Sequence, residues 1–361
     1  MSLFSGIFKY VWPQMQKYSS VFYTILILFV IRMTFGAILS PFYFKKIIDV
    51  VSNTTTNHFV VSHTLYKLAF ILIGFGLVSI IAARIGRFMY SAFEIYVIRD
   101  LRNFAFEKLE RNSQTFFSNT FAGGLVTKSR RFAASFETMF DIFIYSFLRF
   151  FIVLTGVFII LINQSPLISV IFFGWIIIHI VIVSFFVNKK IKYDLLEAEQ
   201  DSKISGRLAD VFSNILAVKL FSAHKSEIAS FSKYTEEGAK RSKKAWFFGG
   251  KIDMMQGIFI FIIQSIILLI MINLWLKNEI STGTLVLIQS YMIIIFDQLW
   301  ELGGSLTKFM KSAADMKEMA DIFEIVPDTL DPESPETLIM KGGHIGFKDV
   351  SFSYKNGQEV F

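Results

Sequence analysis

The stretch MQGIFIFIIQSIILLIMINLWL, residues Met255–Leu276, decides the fold class of this chain. It contains no Asp, Glu, Lys or Arg, and as a helix it is long enough to cross the roughly 30 Å hydrocarbon core of a bilayer, which takes about 20 residues. Five further runs are also long and mainly apolar, although Gln289 and Asp297 interrupt the last one. These runs are Val21–Phe44, Leu65–Phe88, Ile142–Ile162, Leu167–Val187 and Leu285–Trp300. The sequence therefore predicts an all-α membrane protein with six transmembrane helices.

The amino-acid composition agrees with a membrane protein and excludes several other classes. Of the 361 residues, 53% are hydrophobic and only 18% are charged, whereas soluble domains have about 45–50% and about 25%. With 6 Pro, 21 Gly and no Cys, the chain is neither a collagen nor a disulfide scaffold, and it has no cysteine nucleophile or thiolate metal ligand. The five histidines show no ligand spacing, so we predict no metal site.

The positions of lysine and arginine predict the orientation in the membrane. The segment 163–166, between the third and fourth runs, has neither, and the segment after the fifth run has only Lys277. The segments 89–141 and 188–254 are rich in both residues. Because positive residues stay on the cytoplasmic side, we expect these two segments and both termini in the cytoplasm, with the chain in the plasma (inner) membrane. The net charge of +7 is then a topology signal, and no nucleic-acid partner is predicted.

The two long cytoplasmic segments are predicted to be helical extensions of the transmembrane helices. Structureless connections of this length are uncommon, and apolar residues recur at helical spacing through 95–109 and 189–231. We expect one continuous helix from Leu65 to Asn112, about 70 Å long at 1.5 Å per residue. The turns of the two helical hairpins are expected at Ala122–Gly124 and around Asn214.

The composition changes along the chain predict four consecutive parts. The first mixes aromatic residues with lysines, which is typical of a headgroup interface. The last contains two short period-two patterns, which indicate one bulged strand or two short strands. Since a lone hairpin is marginal in water, we expect the sequence to be cut just inside a second domain. The parts are an interfacial segment (1–19), a transmembrane domain (20–310), a helix extension with an acidic linker (311–342) and a β-strand fragment (343–361).

Several motifs, in this order and spacing, resemble the exporter-type (type 1) transmembrane domain of ABC transporters. The last motif, Gly343–Tyr354, resembles the opening of the nucleotide-binding domain of that family. The others resemble its first intracellular loop, its second intracellular loop and the turn into its sixth helix. They are Arg99–Arg102 with Phe116, Phe117, Gly124 and Leu125, then Val218–Phe221 with Glu227 and Phe231, and then Ile280–Leu285.

The resemblance implies an ATP-driven exporter in which two six-helix halves, identical or different, form a dimer around a substrate pathway. It also implies a nucleotide-binding domain that uses ATP and Mg, coupling helices near Ser118–Ser135 and Leu208–Phe221, and a Tyr354 that stacks on adenine. ATP binding by this chain alone is not expected, since a phosphate loop needs Gly-x4-Gly-Lys-Ser/Thr. The nearest sequence, Gly249–Ile252, lacks the first glycine and the hydroxyl. Whether the chain takes part in an enzyme, and which substrate it moves, stay open.

Polar residues inside the predicted spans are the candidate substrate contacts. Such residues are costly in lipid and usually face a bundle interior or an aqueous cavity. Arg32, Gln264, Gln289 and Asp297 are therefore predicted to line a substrate cavity, and the alternative is interhelical pairing, for instance of Arg32 with Asp297. For Arg149 and His179, also within spans, pairing or snorkelling is the preferred interpretation. A stand-alone membrane scaffold or receptor without an ATPase is the alternative function that the sequence leaves open.

Overall fold

The protein is described here by a computed structural model in which residues 3–52, 58–120, 122–325 and 342–351 are described. Up to residue 325 almost all of these residues are helical. The helices, in chain order, are α1 (Leu3–Gln16), α2 (Ser19–Met33), α3 (Ser40–Ser52), α4 (His58–Glu110), α5 (Gln114–Asn119), α6 (Ala122–Ile142), α7 (Arg149–Gln164), α8 (Pro166–Ser213), α9 (Ile215–Leu220), α10 (His224–Leu276) and α11 (Thr282–Phe323). Two π-helical segments, π1 (Thr34–Leu39) and π2 (Phe143–Leu148), join α2 to α3 and α6 to α7.

Six helical stretches are long and apolar enough to cross a membrane, which confirms the prediction of six spans. The first consists of α2, π1 and α3, the third of α6, π2 and α7, and the others of α4, α8, α10 and α11. The stretches have 34 to 53 residues, well beyond the roughly 20 that a bilayer requires. Helix α4 has 53 residues and includes the whole range from Leu65 to Glu110, so the prediction of a long continuous helix is also confirmed.

Local sequence explains where several of these helices begin. Ser281 precedes α11, and its hydroxyl accepts a hydrogen bond from the backbone N–H of Thr284 at 3.2 Å, which satisfies one of the free donors of the first turn. Helix α8 begins with Pro166, a residue that suits the first helical position because its missing N–H has no partner there. Each of these two helices therefore begins directly after a short connection, α8 after α7 and α11 after α10.

The π-helical segments interrupt the first and third spans and free backbone carbonyl groups for other partners. In π1, the hydroxyl of Ser40 donates to the carbonyl of Phe35 at 2.7 Å. The phenol of Tyr291, in the middle of α11, donates to the carbonyl of Ile38 at 2.6 Å. The first and sixth spans are thus joined by a buried hydrogen bond inside the membrane part of the protein.

Helix α11 lies at the centre of the core. Its apolar stripe, which includes Leu287, Ile288 and Ile295, is buried and packs with α3, α6 and α7. At the N-terminal end of α11, the backbone N–H of Gly283 donates to Oδ1 of Asp49, on α3, at 2.8 Å. The sixth span therefore connects the first and third spans over most of its length.

Helices α8 and α10 pair mainly with each other and form a long antiparallel hairpin. Side chains join the two shafts outside the predicted spans: Gln200 donates to the carbonyl of Tyr234 at 3.0 Å, and Arg241 donates to the carbonyl of Leu196 at 3.1 Å. Near the tip, Arg207 on α8 forms an ion pair with Glu227 on α10. The hairpin is therefore braced along its length although much of it stands apart from the other helices.

The strand prediction is wrong for the described part of the C-terminal segment. Residues 342–351 form no strand, and Ile345 and Phe347 are exposed. Asp349 has a φ of 50°, which is incompatible with extended backbone. A strand needs a neighbouring strand to pair its N–H and C=O groups, and the described residues offer none. The other residues of this fragment, including Tyr354, lie outside the described residues.

Candidate functional site

The tip of the first helical hairpin, formed by α4 and α6, is the short helix α5. The side-chain amide of Asn112 donates to the carbonyls of Lys108 and Leu109 at 3.0 and 3.1 Å, which ends α4. The hydroxyl of Ser113 then accepts from the N–H of Phe116 and caps α5. The predicted break at Ala122–Gly124 is therefore wrong by a few residues, because α6 already begins at Ala122.

The tip of the second hairpin is α9, and here the predicted turn at Asn214 is confirmed. The side-chain amide of Asn214 donates to the carbonyl of Asp210 at 3.0 Å and ends α8. At the other end of α9, Ser222 has a φ of 52°, and the N–H of Ala223 reaches back to the carbonyl of Val218 at 2.9 Å. This left-handed residue with its reach-back hydrogen bond ends α9 and reverses the chain into α10.

The surface of α9 is apolar and almost completely exposed. Leu216, Leu220 and Phe221 are 68%, 73% and 82% exposed, and Val218 is the one buried residue of this helix. We call these three exposed side chains the α9 patch. A cluster of large apolar side chains at the end of a charged hairpin is typical of a contact surface for another protein or domain.

The C-terminal end of α11 is fixed to α1 and to the first hairpin. Glu324 accepts hydrogen bonds from Nζ of Lys9 at 2.9 Å and from the phenol of Tyr10 at 2.5 Å, and Phe323 packs edge-on against Tyr10 and Phe132. The hydrogen bonds from Tyr10 and then Lys9 hold the pKa of the Glu324 carboxyl below its ordinary value. The segment that leads from the sixth span to residue 325 therefore has a defined anchor on the bundle.

The structure does not bring the four predicted substrate-cavity residues together. Arg32 lines a cavity between α2, α4 and π2, and none of the other three residues lines it. Gln264 on α10 and Gln289 on α11 are half-buried, and Asp297 is exposed on the surface of α11. Among the described residues no ion pair joins Arg32 to Asp297, so the proposed pairing is wrong. Opposite charges in two spans do not by themselves fix which faces those spans turn toward each other.

Sequence reasoning missed other polar groups within the bundle. Arg87, Tyr90 and Tyr145 share the cavity of Arg32, and the phenol of Tyr90 donates to Asp141 at 2.6 Å. Tyrosines are common at helix surfaces, and Arg87 stands at the end of a span, so neither gave a distinct signal. His179, expected to pair or snorkel, is instead buried beside Trp175 with neither ring nitrogen hydrogen-bonded. The physical reason is that its neighbours on α8 and α11 are apolar.

The sequence lacks a phosphate loop, and the described residues contain no cluster of metal ligands. The sequence has no Gly-x4-Gly-Lys-Ser/Thr motif, so it offers no phosphate loop for ATP and Mg. In the part of the chain that the structure describes, no three His, Cys, Asp or Glu residues are placed to hold a metal ion. The arrangement is therefore that of a membrane bundle with two long helical hairpins.

Comparison with known proteins agrees with this arrangement. The sequence pattern of the ABC transporter transmembrane region matches residues 23–299. The chain belongs to this family. It is 22% identical over 326 residues to ATP-binding cassette sub-family B member 6 of Xenopus tropicalis, a match that covers 89% of this chain and 38% of that protein. It is 21% identical over 270 residues to the uncharacterized ABC transporter ATP-binding protein YknV of Bacillus subtilis (strain 168), covering 72% of this chain and 43% of that protein.

The fold of this ABC transporter domain also matches a solved structure. A bacterial Atm1-family ABC exporter with ATP bound superposes with a TM-score of 0.70 at 17% identity, over 96% of this chain and 59% of that one. For residues 23–299 the resemblance drawn from the sequence motifs is therefore confirmed: this is an integral, multi-pass ABC transporter transmembrane region, and its fold is that of an exporter-type domain. The chain spans less than half the length of the two curated relatives described above.

Proposed function

We propose that this chain is the transmembrane half of an ATP-driven exporter and that α5 and α9 act as its coupling helices. The observation that carries the proposal is the α9 patch. About 25 cal/mol of stabilisation is available for each Å² of apolar surface removed from water, so three exposed large side chains favour a permanent partner. In the ABC exporter family that partner is the nucleotide-binding domain, which takes ATP and Mg.

The second hairpin also supports a dimer. Trp246 and Phe247, on the part of α10 outside the predicted span, are exposed. No other helix of the described chain covers these two side chains. A second transporter half, identical or related, is the partner that we propose for this surface. Membrane lipid covers the exposed apolar side chains within the spans, and the transported substrate stays unidentified.

In the proposed orientation, the chain lies in the plasma (inner) membrane, and both hairpin tips and both termini are in the cytoplasm. The support is the concentration of Lys and Arg on α4–α6 and α8–α10. Single cysteines introduced by Asn57→Cys and Ser205→Cys test it with an impermeant thiol reagent on intact cells. We expect labelling at position 57 and none at 205, and the reverse pattern would contradict the orientation.

The segment Gly343–Phe361 supports the proposed coupling because its sequence resembles the start of a nucleotide-binding domain. Within Gly343–Phe361, Tyr354 is proposed to stack on the adenine of ATP once the rest of that domain holds it in place. In the whole transporter, Tyr354→Ala should weaken nucleotide affinity, since loss of one stacking face removes about 1–3 kcal/mol in comparable base–aromatic contacts. An unchanged affinity would contradict this role.

The coupling role is tested in the whole transporter with Leu216→Ser and Leu220→Ser combined. These side chains are exposed, so the substitutions remove two of the three apolar side chains of the α9 patch and leave the fold intact. A matched control is Leu195→Ser, an equally exposed position on the shaft of α8. Nitroxide labels attached through Ser52→Cys, at the outer end of the first span, report the movement of the two halves when ATP and vanadate are added.

We expect the double variant to keep ATP binding and to lose most of the ATP-driven distance change, while the control behaves as the wild type. A distance change of wild-type size in the double variant would contradict the coupling role of α9. The alternative function, a membrane scaffold or receptor without an ATPase, is distinguished by a simpler result. In that case the purified whole protein would hydrolyse no ATP.

A further inference from the structure

A cavity of about 270 Å³ lies between α2, α4 and π2, within the membrane bundle. Its lining is partly polar and partly apolar. The polar residues are two arginines, Arg32 and Arg87, and two tyrosines, Tyr90 and Tyr145. The remaining lining residues are Ile25, Leu28, Phe29, Ala82, Ala83, Gly86 and Ile144.

The helix directions bring the two guanidinium groups toward each other. Helices α2 and α4 are antiparallel at this level, because Leu28 faces Gly86 while Ser79 donates to the backbone carbonyl of Arg32 at 3.3 Å. Side chains lean toward the N-terminus of their own helix. Arg32 therefore leans toward the level of Arg87, and Arg87 leans toward the level of Arg32, from positions about one to two helical turns apart.

Neither arginine of the cavity has a carboxylate partner: among the described residues, Arg32 and Arg87 form no ion pair. Two acids are close by but do not line the cavity. Asp141 accepts from the phenol of Tyr90, and Oε1 of Glu94 is buried without a hydrogen-bond partner. Arg32 is half-buried and Arg87 is exposed at the end of its span. Because a positive charge within a membrane bundle is costly without a partner, an anion from outside the chain would fit between the two arginines.

We propose that this cavity binds a phosphate group through Arg32 and Arg87. A guanidinium group offers two parallel N–H donors that match phosphate oxygens, and it keeps its charge in a partly dry site. The phenols of Tyr90 and Tyr145 border the same space, and the apolar lining residues suit an acyl chain. The phosphate is carried either by a membrane lipid or by a soluble anion. This site goes beyond the proposed transport function, and its occupancy is measured without ATP turnover.

The test uses the purified full chain and two lipids that differ only in the phosphate. Native mass spectrometry counts the bound molecules of phosphatidic acid and of diacylglycerol with the same acyl chains, and a thermal-shift measurement follows stabilisation by inorganic phosphate. Arg32→Gln and Arg87→Gln should each weaken phosphate-dependent binding about ten-fold or more, since each removes charge-assisted hydrogen bonds. The matched control is Arg84→Gln, on the same helix, exposed, and outside the lining of the cavity.

Each outcome decides the proposal. Preference for phosphatidic acid that both glutamine variants lose identifies a lipid phosphate, whereas stabilisation by inorganic phosphate alone, lost in the same variants, identifies a soluble anion. Equal retention of diacylglycerol, or an equal loss in the Arg84→Gln control, would overturn the site. If Arg32→Gln fails to fold, the exposed Arg87→Gln and the wild-type comparison of the two lipids still decide, because no phosphate preference in the wild type refutes the inference.

Discussion

Removing a single oxygen atom from Tyr291 tests the connection between the first and sixth spans. Tyr291 is 0% exposed, and its phenol donates to the carbonyl of Ile38 in π1 at 2.6 Å. Tyr291→Phe keeps the ring and its packing but leaves that carbonyl without the phenol as a partner. The substitution therefore isolates the hydrogen bond from the burial of the ring.

The expected loss of unfolding free energy lies between two ranges, one for soluble proteins and one for membrane proteins. A buried group left without its partner costs about 1–3 kcal/mol in soluble proteins. Interhelical hydrogen bonds in membranes contribute less, on average about 0.6 kcal/mol and at most about 1.7, because the unfolded chain in the membrane also finds partners. The Ile38 carbonyl belongs to a π-helical segment and is surrounded by packed side chains, so we expect the upper part of the membrane range, about 1–1.5 kcal/mol. That loss is roughly a five- to thirteen-fold change in the ratio of folded to unfolded protein.

The assay is reversible unfolding in mixed micelles, with Tyr66→Phe as a matched control. Tyr66 lies on α4 and is well exposed, so loss of its hydroxyl should change the free energy of unfolding by less than about 0.5 kcal/mol. Equal free energies for Tyr291→Phe and Tyr66→Phe would refute the reasoning. That result would mean that the hydrogen bond seen between the two spans adds nothing to their association.

Three further predictions concern other contacts. Tyr10 and Lys9 lower the pKa of Glu324. The stability that they provide is therefore complete above the unfolded pKa, about 4.3, and is lost as the pH falls through the lower folded pKa. Glu324→Gln should reduce the fall of the melting temperature between pH 7 and pH 3, and an unchanged fall would contradict the contact. Gly283→Ala places a Cβ 2.8 Å from Cγ of Asp49 and should destabilise the protein by about 1–3 kcal/mol in micelle unfolding, whereas a neutral effect would show that α3 moves away freely. His179→Leu removes a buried group without hydrogen bonds and should leave the melting temperature unchanged or raise it, so a clear drop would reveal a partner.

Hydrophobic length predicted the six spans because only a helix satisfies its own backbone within a bilayer. The same signal could not locate the π-helical segments, since Thr34–Leu39 and Phe143–Leu148 are as apolar as their surroundings. Glycine was a poor guide to the first hairpin turn. Gly123 and Gly124 cost helix stability but do not forbid a helix, and the side-chain caps of Asn112 and Ser113 decide where the chain turns.

The neighbours of the predicted site residues could not be predicted from the sequence as well as the fold could. Arg32 was identified from its cost in a membrane, but its neighbours depend on how α2 and α4 rotate against each other, and the hydrophobic pattern does not specify this. Asp297 illustrates the difficulty, because its side chain lies on the exposed face of α11 in the single chain. A polar residue in a span indicates a special environment, whereas the partner has to be read from the packing.

The length of the second hairpin has a mechanical consequence. From Val187, at the end of the fourth predicted span, to Ser213, at the end of α8, the shaft measures about 40 Å at 1.5 Å per residue. Because α10 is braced against it, the pair can act as a stiff lever with its pivot at the membrane surface. A tilt of about 5° then displaces α9 by about 3.5 Å, less than one helical turn. Deleting seven residues, two turns, from each shaft would preserve the facing surfaces and reduce the travel of the tip by about a quarter.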